Sequence, residues 1–422
     1  MERYENHVHD CICSFEQELI EILDCLNGVI KMKKKIKVLQ LLGGGEAIGG
    51  VEKSLLNYYS HMNTSAVQFD FCFFRKSTFP IVKEKYKNVL SNSMIYELNC
   101  FRHKSNIRGY IFAIPKIKKI IREGKYDIIH INSGRIPLLI SGILAAKMSN
   151  ARFVVSHSHS TSGDLNKKTI TKSIKNFCHK ILSKFLVMNS NMLFACSLDA
   201  GEYMFGKKAL ELQKFREIRN AIDTESYIFN DFIRMKLRQE FSVDDNAMIY
   251  GHVGRFSEEK NHSYLIDVFE EIHVAQPNSF LWLVGDGPLK DSIVKKVNDK
   301  KMGNSVVFLG ERADVNEIMQ ALDVFIFPSK YEGLSVTLIE AQTASLPVYA
   351  SNNISTEHKV SDSFTFLSLE SKPSEWAKII LNRQRTKRIN MKNEIGLSGY
   401  DISTEAKELE KIYFRMVMSN EH

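Results

Sequence analysis

Short apolar runs alternate with amphipathic segments along most of this chain. Ile36–Leu42 is almost continuously hydrophobic, and Val51–His61, after the glycine-rich stretch GGGEAIGG, places its apolar residues at helical spacing. Continuous apolar runs are typical of strands in a parallel sheet that helices cover on both faces. The pattern repeats, and it predicts strands at Phe69–Phe74, Tyr126–Ile131, Arg152–His157 and Phe194–Ser197, with helices at Ile111–Glu123 and Pro137–Lys147.

A second series follows Arg219–Asp245, where the pattern weakens and polar residues gather. It predicts strands at Met248–Val253, Phe280–Val284, Ser305–Leu309, Val324–Pro328 and Val348–Ser351, and helices at Ser263–Val274, Val315–Ala321, Val336–Ala344 and Thr404–Met418. Two doubly wound α/β domains, Rossmann-like and facing across a cleft, are the simplest architecture. Ligands of such sheets bind beyond the carboxyl ends of the strands.

The domain boundaries follow from this pattern. We expect a first domain over residues 32–222, a second over 223–403, and a C-terminal helix over 404–422 that crosses back to the first domain. Residues 1–31 do not share the pattern. They are expected to be a loosely attached extension, or else translation starts at Met32.

Composition narrows the class of protein. Of 422 residues, 44% are hydrophobic and 25% are charged, as in globular proteins. No apolar run is long enough to cross a bilayer, and the N-terminus lacks the features of a secretory signal, so a cytoplasmic location is expected. The seven cysteines form no CxxC pair, and the spacing of Cys11 and Cys13 does not suit a zinc finger. The net charge of +8 predicts an anionic partner.

The segment YEGLSVTLIEA, residues 331–341, follows a predicted strand and opens a helix. Ser335 is a favourable N-cap for a helix that starts at Val336, and the free N–H groups of a helix end suit a phosphate. Glu332 and Glu340 flank this end, and a carboxylate accepts hydrogen bonds from vicinal sugar hydroxyls. A capped helix with two incidental acids is the alternative.

A second motif, GHVGRFSEEKN at residues 251–261, places Arg255 and Lys260 after a strand that ends in glycine. Arg binds phosphate oxygens in bidentate fashion and Lys adds a point charge, although a solvated basic loop is the alternative. The turn GDGP at 285–288 is too common to be informative by itself.

Together, Gly254–Arg255 with Lys260, the GDGP turn, Phe308–Gly310 and the Glu332-x7-Glu340 pair resemble the retaining glycosyltransferase family 4, of GT-B fold. The resemblance covers most of residues 35–405 and is densest in 248–345. It implies that the chain transfers a sugar from a nucleotide diphosphate to an acceptor.

The resemblance also implies roles for single residues. Arg255 and Lys260 would hold the donor diphosphate and stabilise the charge of the leaving nucleotide. Glu340 would bind the ribose, and Glu332 the hydroxyls of the donor sugar. The backbone that would touch the sugar and phosphate belongs to Gly254, Gly333, Leu334, Ser335 and Val336.

The first half agrees with this family. Its GGGEAIGGVEK segment resembles the family's first loop, where Gly49 and Gly50 would let the backbone approach the diphosphate or the acceptor; it does not match the nicotinamide motif GxGxxG. The HSH element at 157–159 resembles the exopolysaccharide and capsule subgroup, and implies that His157 or His159 faces the sugar. A structural histidine is the alternative, whereas a zinc site lacks a nearby acid or cysteine to complete it.

Some features depart from the family or are missing. Asn220-Ala221-Ile222-Asp223 stands where the family has Asn-Gly-Ile-Asp, and Ala adopts the left-handed conformation less readily than Gly. The segment NNISTEHKV after Ser351 has no clear signature. No Asp-x-Asp occurs, so we expect no metal and no cofactor: basic side chains and a helix dipole would replace the ion. The only co-substrate expected is a nucleotide-sugar, with UDP favoured over GDP.

Residues 164–186 contain six lysines, and Ile170, Ile174, Phe177 and Ile181 recur at helical spacing. Such a helix can rest peripherally on anionic lipid, close to a polyprenyl-diphosphate-linked acceptor; a core-facing helix with a solvated basic face is the alternative. No nucleic-acid-binding module is visible.

The favoured function is transfer of a hexose or N-acetylhexosamine from a UDP-sugar to a growing, lipid-linked exopolysaccharide or capsule acceptor, with retention of configuration. A catalytically silent subunit that supports a partner transferase would be favoured by loss of Arg255, Lys260 or either acid, and all four are present. A nucleotide-sugar epimerase of the same fold is the third hypothesis.

Overall fold

The computed structural model describes residues 35–44, 50–75, 87–101, 107–160, 171–383 and 387–418. It divides the chain into two units. The first unit ends at Ile218 and resumes at Glu405, and the second is Arg219–Thr404. The extension 1–31 and Gly49, which the sequence analysis singled out, lie outside the described residues.

The first unit contains a parallel sheet with the strand order β3-β2-β1-β4-β5-β6-β7. Its strands are β1 Ile36–Leu42, β2 Val67–Phe73, β3 Ile95–Glu97, β4 Ile128–Ser133, β5 Phe153–Ser158, β6 Met192–Ala195 and β7 Phe215–Glu217. Its helices are α1 Gly50–His61, α2 Lys87–Leu90, α3 Ile107–Gly124, α4 Ile136–Lys147, α5 Thr171–Asn189 and α6 Leu198–Phe205. The strand order reverses between β1 and β4, so loops that leave these two strands border the position where doubly wound sheets bind ligands.

The second unit contains a parallel sheet with the order β10-β9-β8-β11-β12-β13. Its strands are β8 Met248–Val253, β9 Ser279–Val284, β10 Val306–Gly310, β11 Val324–Phe327, β12 Val348–Ser351 and β13 Phe364–Leu367. Its helices are α7 Asp231–Glu240, α8 His262–Ala275, α9 Lys290–Asp299, α10 Val315–Ala321, α11 Val336–Thr343, α12 Pro373–Leu381 and α13 Lys392–Leu397. Here the order reverses between β8 and β11.

Alternate residues of the central strands enter separate cores. In β9, Trp282 packs into one apolar cluster, whereas Leu281 and Leu283 pack into another. Because successive strand side chains point to opposite faces, both faces of this sheet are buried. This is the arrangement that the continuous apolar runs predict.

The C-terminal helix α14, Ile402–Met418, packs against the first unit, as predicted. Tyr413 is fully buried there, with its ring 6.0 Å from that of Phe69. Arg152 donates a hydrogen bond to the Val417 carbonyl at 2.6 Å, and the Glu410 carboxylate accepts one from the Asn63 amide at 3.0 Å. The helix therefore contributes to the core of the first unit.

No strand is predicted after Val348–Ser351, but β13 follows it and pairs with β12 from Val348 opposite Phe364 onward. Strands β3, β7 and β13 have three or four residues each, which is too short for periodicity to reveal. Ala221, at the departure from the family pattern, is not among the residues with positive φ, so its turn does not need glycine. This segment pairs with the chain next to α14: Ile222 N–H donates to the Tyr400 carbonyl at 2.9 Å.

Candidate active site

The loop that follows β8 is held by the loop that follows β9. Phe256 N–H donates to the Asp286 carbonyl at 3.0 Å, and Leu289 N–H donates to the Phe256 carbonyl at 3.0 Å. Gly285 has φ +132°, and a Cβ there would lie 2.1 Å from the Gly254 carbonyl oxygen. Glycine is therefore required at this contact. The GDGP turn, uninformative by itself, fixes the loop that carries Arg255, whose side chain is exposed.

Lys260 and Glu332 form an ion pair where the loops after β8 and β11 meet. The Lys260 Nζ lies 2.7 Å from the Glu332 Oε1, and the two side chains are only 15% and 13% exposed. The ammonium also lies 4.7 Å from the centre of the Phe327 ring. The two loops are joined a second time by a hydrogen bond of 2.8 Å from Lys330 N–H to the Glu259 carbonyl. The pair thus stands at the position where the strand order reverses.

A buried histidine supports the N-terminal end of α11. His358 Nε2 accepts a hydrogen bond of 2.8 Å from Ser335 N–H, and its Nδ1–H donates to the Ser355 carbonyl at 2.8 Å. Burial is the main cause that lowers the pKa of His358, so the ring is neutral, as these two bonds require. Ser335 occupies the N-cap position but its side chain makes no capping hydrogen bond, unlike the prediction. Sequence reasoning missed His358, which lies in the unassigned segment NNISTEHKV.

Glu340, on α11, is a hydrogen-bond partner of the Tyr227 hydroxyl. Burial and then the Glu340 carboxylate raise the pKa of Tyr227, which stays a neutral donor. Tyr227 ends the 3-10 helix Thr224–Tyr227, just after the segment that departs from the family pattern. The carboxylate predicted to bind a ribose is therefore held by a tyrosine that the sequence analysis did not select.

The other residues predicted to bind the donor are sequence neighbours of the side chains described above. Gly254 lies in a tight place, because a Cβ there would be 3.0 Å from His252 Nε2 and 3.3 Å from Lys260 Cδ. Gly333 is exposed, Leu334 and Val336 are half-buried, and Ser335 is buried. The second unit thus joins a cation, two carboxylates and a helix N-terminus at one edge of its sheet.

The HSH element of the first unit belongs to a buried hydrogen-bonded chain. Tyr413 Oη lies 2.6 Å from His130 Nδ1, and His130 Nε2 lies 3.1 Å from His157 Nδ1. His159 Nε2 donates to Asn132 Oδ1 at 3.1 Å, and its ring centre is 4.0 Å from that of His157. The two predicted histidines therefore lie together, and a third histidine from β4 joins them.

The side-chain amides of Asn132 and Gln40 determine which atom donates in each hydrogen bond of this buried histidine network. Asn132 donates to Gln40 Oε1 at 2.8 Å, so Gln40 turns its N–H group to Tyr413 Oη, 3.5 Å away. Tyr413 then donates to His130, and His130 donates to His157. His157 keeps Nε2–H as a buried donor, for which the described residues supply no hydrogen-bond partner. Of the three rings, His157 is therefore the one with a buried N–H donor that no described residue accepts.

Burial lowers the pKa of all three rings, and no positive charge is expected on them near pH 7. The pKa is about 3 for His130, where burial and then repulsion from His159 act, and about 3 for His159, where burial acts. For His157 burial comes first, followed by His159 and His130. Neutral imidazole rings can hydrogen-bond a sugar hydroxyl. They carry no positive charge that would repel a nearby cation.

The described residues lack both a metal-binding cluster and a membrane-spanning helix. They contain no group of three His, Cys, Asp or Glu side chains arranged to hold a metal ion. Within those same ranges, no helix is long and apolar enough to cross a membrane.

Two parallel-sheet units, each with polar side chains gathered at the carboxyl edge of its sheet, have the architecture of the GT-B fold. The model for "Glycosyl transferases group 1" matches residues 234–383, and that for "Glycosyltransferase Family 4" matches residues 48–226. The chain belongs to this glycosyltransferase family.

Individual relatives agree with the family models. A putative glycosyltransferase EpsF of Bacillus subtilis is 30% identical over 384 residues, which are 89% of this chain and 96% of the relative. A UDP-Gal:alpha-D-GlcNAc-diphosphoundecaprenol alpha-1,3-galactosyltransferase of Escherichia coli is 26% identical, over 73% of this chain and 80% of that one. The crystal structure of Anabaena Alr3699/HepE in complex with UDP has 20% identity and a TM-score of 0.64, covering 91% and 97% of the two chains. This likeness shows the fold.

Proposed function

We propose that this glycosyltransferase moves a hexose or N-acetylhexosamine from a UDP-sugar to a lipid-linked exopolysaccharide or capsule acceptor, with retention and without a metal ion. The observation that carries the proposal is the Lys260–Glu332 ion pair of 2.7 Å beside the N-terminus of α11. It combines a phosphate-binding cation, free helix amides and a sugar-binding carboxylate in one place. These are the groups that the resemblance to the family implies for binding the donor.

In this proposal the bound donor replaces the contact that Lys260 and Glu332 make with each other in the ligand-free protein. Lys260 turns from Glu332 to the diphosphate, and exposed Arg255 binds it from the same loop. Glu332 is then free to accept hydrogen bonds from the sugar hydroxyls. The cations and the α11 dipole stabilise the negative charge that grows on the leaving UDP. The leaving phosphate assists deprotonation of the acceptor hydroxyl on the same face, which retains the configuration.

The nature of the acceptor is supported by the names of relatives. The Escherichia coli relative acts on a sugar diphosphoundecaprenol, and a Staphylococcus aureus relative, 26% identical over 74% of this chain, is named for capsular polysaccharide biosynthesis.

Contact with an anionic membrane is the further part of this proposal. On α5, Ile181 is 51% exposed and Leu182 36%, next to the exposed lysines 180 and 184. Exposed apolar and basic side chains on one helix suit the interface of an anionic bilayer. Ile170 lies outside the described residues, as do the side chains of Ile174 and Phe177.

Replacing Tyr227 by phenylalanine should weaken UDP binding about tenfold, or about 1.4 kcal/mol, because Glu340 loses the hydroxyl that orients its carboxylate. The same hydrogen bond to a charged group stabilises the free enzyme, so the free energy of unfolding should also fall, by about 1.5–3 kcal/mol. Tyr264→Phe is the matched control, since that hydroxyl donates to the Ser371 carbonyl at 2.7 Å and not to a site carboxylate. Titration calorimetry measures the affinity of each variant for UDP. Equal affinities in Tyr227→Phe and Tyr264→Phe would remove Tyr227 from the site.

The function is tested by thermal stabilisation with UDP, GDP, ADP and their sugar conjugates in EDTA. A ligand at about 100 times its dissociation constant adds roughly 2.7 kcal/mol of stability, or a shift of about 2 degrees in a chain of this length. We expect the shift with UDP compounds, and its loss in Glu340→Ala but not in the exposed control Glu375→Ala. No shift with any nucleotide would favour the catalytically silent subunit.

A further inference from the structure

A polar pocket lies at the carboxyl edge of the first unit's sheet, where its strand order reverses. Its volume is about 330 Å³, at the lower end of the range for small-molecule sites. The lining comes from the segments that follow β1, β2, β4 and β5, and from the first turns of α1 and α4. None of the donor-binding residues of the second unit lines it.

The backbone around this pocket is closely packed. Gly44 has φ +71°, and a Cβ there would lie 3.0 Å from the Arg75 carbonyl oxygen. A Cβ on Gly134 would lie 2.7 Å from Ser160 Cβ. Glycines at these two places let the loops meet, so the pocket is a built feature of the fold.

Two arginines in this pocket are held by their surroundings. The Arg75 guanidinium lies 5.3 Å from the centre of the Phe101 ring, which packs edge-on against Tyr110 at 4.9 Å. The backbone of Arg135 is fixed by Ser133, whose Oγ accepts from Arg135 N–H at 2.9 Å and donates to its carbonyl at 3.1 Å. The Arg75 side chain is thus held by an aromatic contact, and the backbone of Arg135 is fixed where its side chain lines the pocket.

The remaining polar groups match a sugar that is linked to a phosphate. The first turns of α1 and α4 add positive dipole ends to the two guanidinium groups. Glu52 supplies a carboxylate for hydroxyl groups, and it is the acid among the described lining residues. Asn132 lines the pocket and also accepts from His159, so the pocket adjoins the histidine chain.

We propose that this pocket binds the diphosphate of the acceptor, with Arg75 and Arg135 as the residues that recognise it. The proposal rests on the proposed function, because it identifies the acceptor as a short glycan still close to its lipid diphosphate. The size of the pocket suits a head group and not a long sugar chain. The enzyme then acts early in assembly, on a product of a reaction that couples a sugar phosphate to a lipid phosphate.

The probe for this site is farnesyl diphosphate, titrated into the full chain in the presence of saturating UDP. We expect binding that is about tenfold weaker in Arg75→Gln and in Arg135→Gln, since each removes a charge-assisted contact. Arg122→Gln, at an exposed position of α3, should bind as the wild type does. Glu52→Gln removes a negative charge from the pocket and should bind the probe at least as tightly as the wild type.

Three results would overturn the proposal. They are equal binding of farnesol, affinities that do not respond to the two arginine variants, and displacement of the probe by rising UDP, which would place it in the donor site. Binding of UDP alone, measured first, tests the donor site separately. A chain that binds UDP but not the probe keeps the proposed function and loses this inference. A chain that binds the probe through Arg75 and Arg135 but no nucleotide keeps the pocket and loses the function.

Discussion

Replacing Lys260 by methionine should lower kcat for sugar transfer by roughly 10²–10³-fold, the loss found when one preorganised donor to a developing negative charge is removed. The affinity for the acceptor should change little, because Lys260 belongs to the donor loop of the second unit. Arg255→Ala should act in the same direction. Its side chain is exposed, so the free energy of unfolding should stay within about 0.5 kcal/mol of the wild type.

The ion pair complicates the Lys260 variant, and a second substitution resolves it. Without Lys260, the Glu332 carboxylate is only 13% exposed and loses its partner, which should cost about 1–3 kcal/mol of stability. Lys260→Met with Glu332→Gln removes both charges and should recover most of that stability, while transfer stays low. Urea unfolding and steady-state kinetics on the wild type, Lys260→Met, Glu332→Gln and the double variant separate the two effects. If activity returned together with stability, Lys260 would have only a structural role.

The donor-side residues could be predicted from the sequence because they lie in short contiguous motifs. Arg255 and Lys260 share one loop, and Glu332 and Glu340 lie on either side of one helix start. Their pairing could not be predicted. The Lys260–Glu332 contact depends on β8 and β11 being neighbours in the sheet, and strand order is a property of the whole unit.

The residues that support the donor site, Tyr227 and His358, were missed because their contacts also depend on how the whole unit folds. Tyr227 lies in a four-residue 3-10 helix far from Glu340 in the chain, and His358 lies in a similar short helix after β12. Neither position has a periodicity or a residue type that distinguishes it from an ordinary loop. The histidine pair of the HSH element was visible, but its third member, His130, and Tyr413 come from β4 and α14.

The first unit should lose stability steeply as the pH falls below about 6.5. His130 and His159 have a pKa of about 3 in the folded chain, against about 6.5 when unfolded. The unfolded chain therefore binds more protons in this window, and each such group costs about 1.4 kcal/mol per pH unit as the pH falls. His157, with its pKa also lowered, acts in the same direction. The loss continues until the pH approaches the folded pKa values.

Both tryptophans lie in the second unit, at positions 282 and 376, so their fluorescence does not report on this transition. Hydrogen exchange of the β4 and β5 amides between pH 7.5 and pH 4.5, corrected for the intrinsic rates, measures the free energy of opening directly. We expect His157→Gln to reduce the pH dependence of this opening free energy by up to about 1.4 kcal/mol per pH unit. The variant should also be less stable than the wild type at pH 7.5. His61→Gln, at an exposed position of α1, should leave the dependence unchanged. An opening free energy with the same pH dependence in wild type and His157→Gln would mean that folding does not lower the pKa of His157, which would contradict a neutral, buried ring at this position.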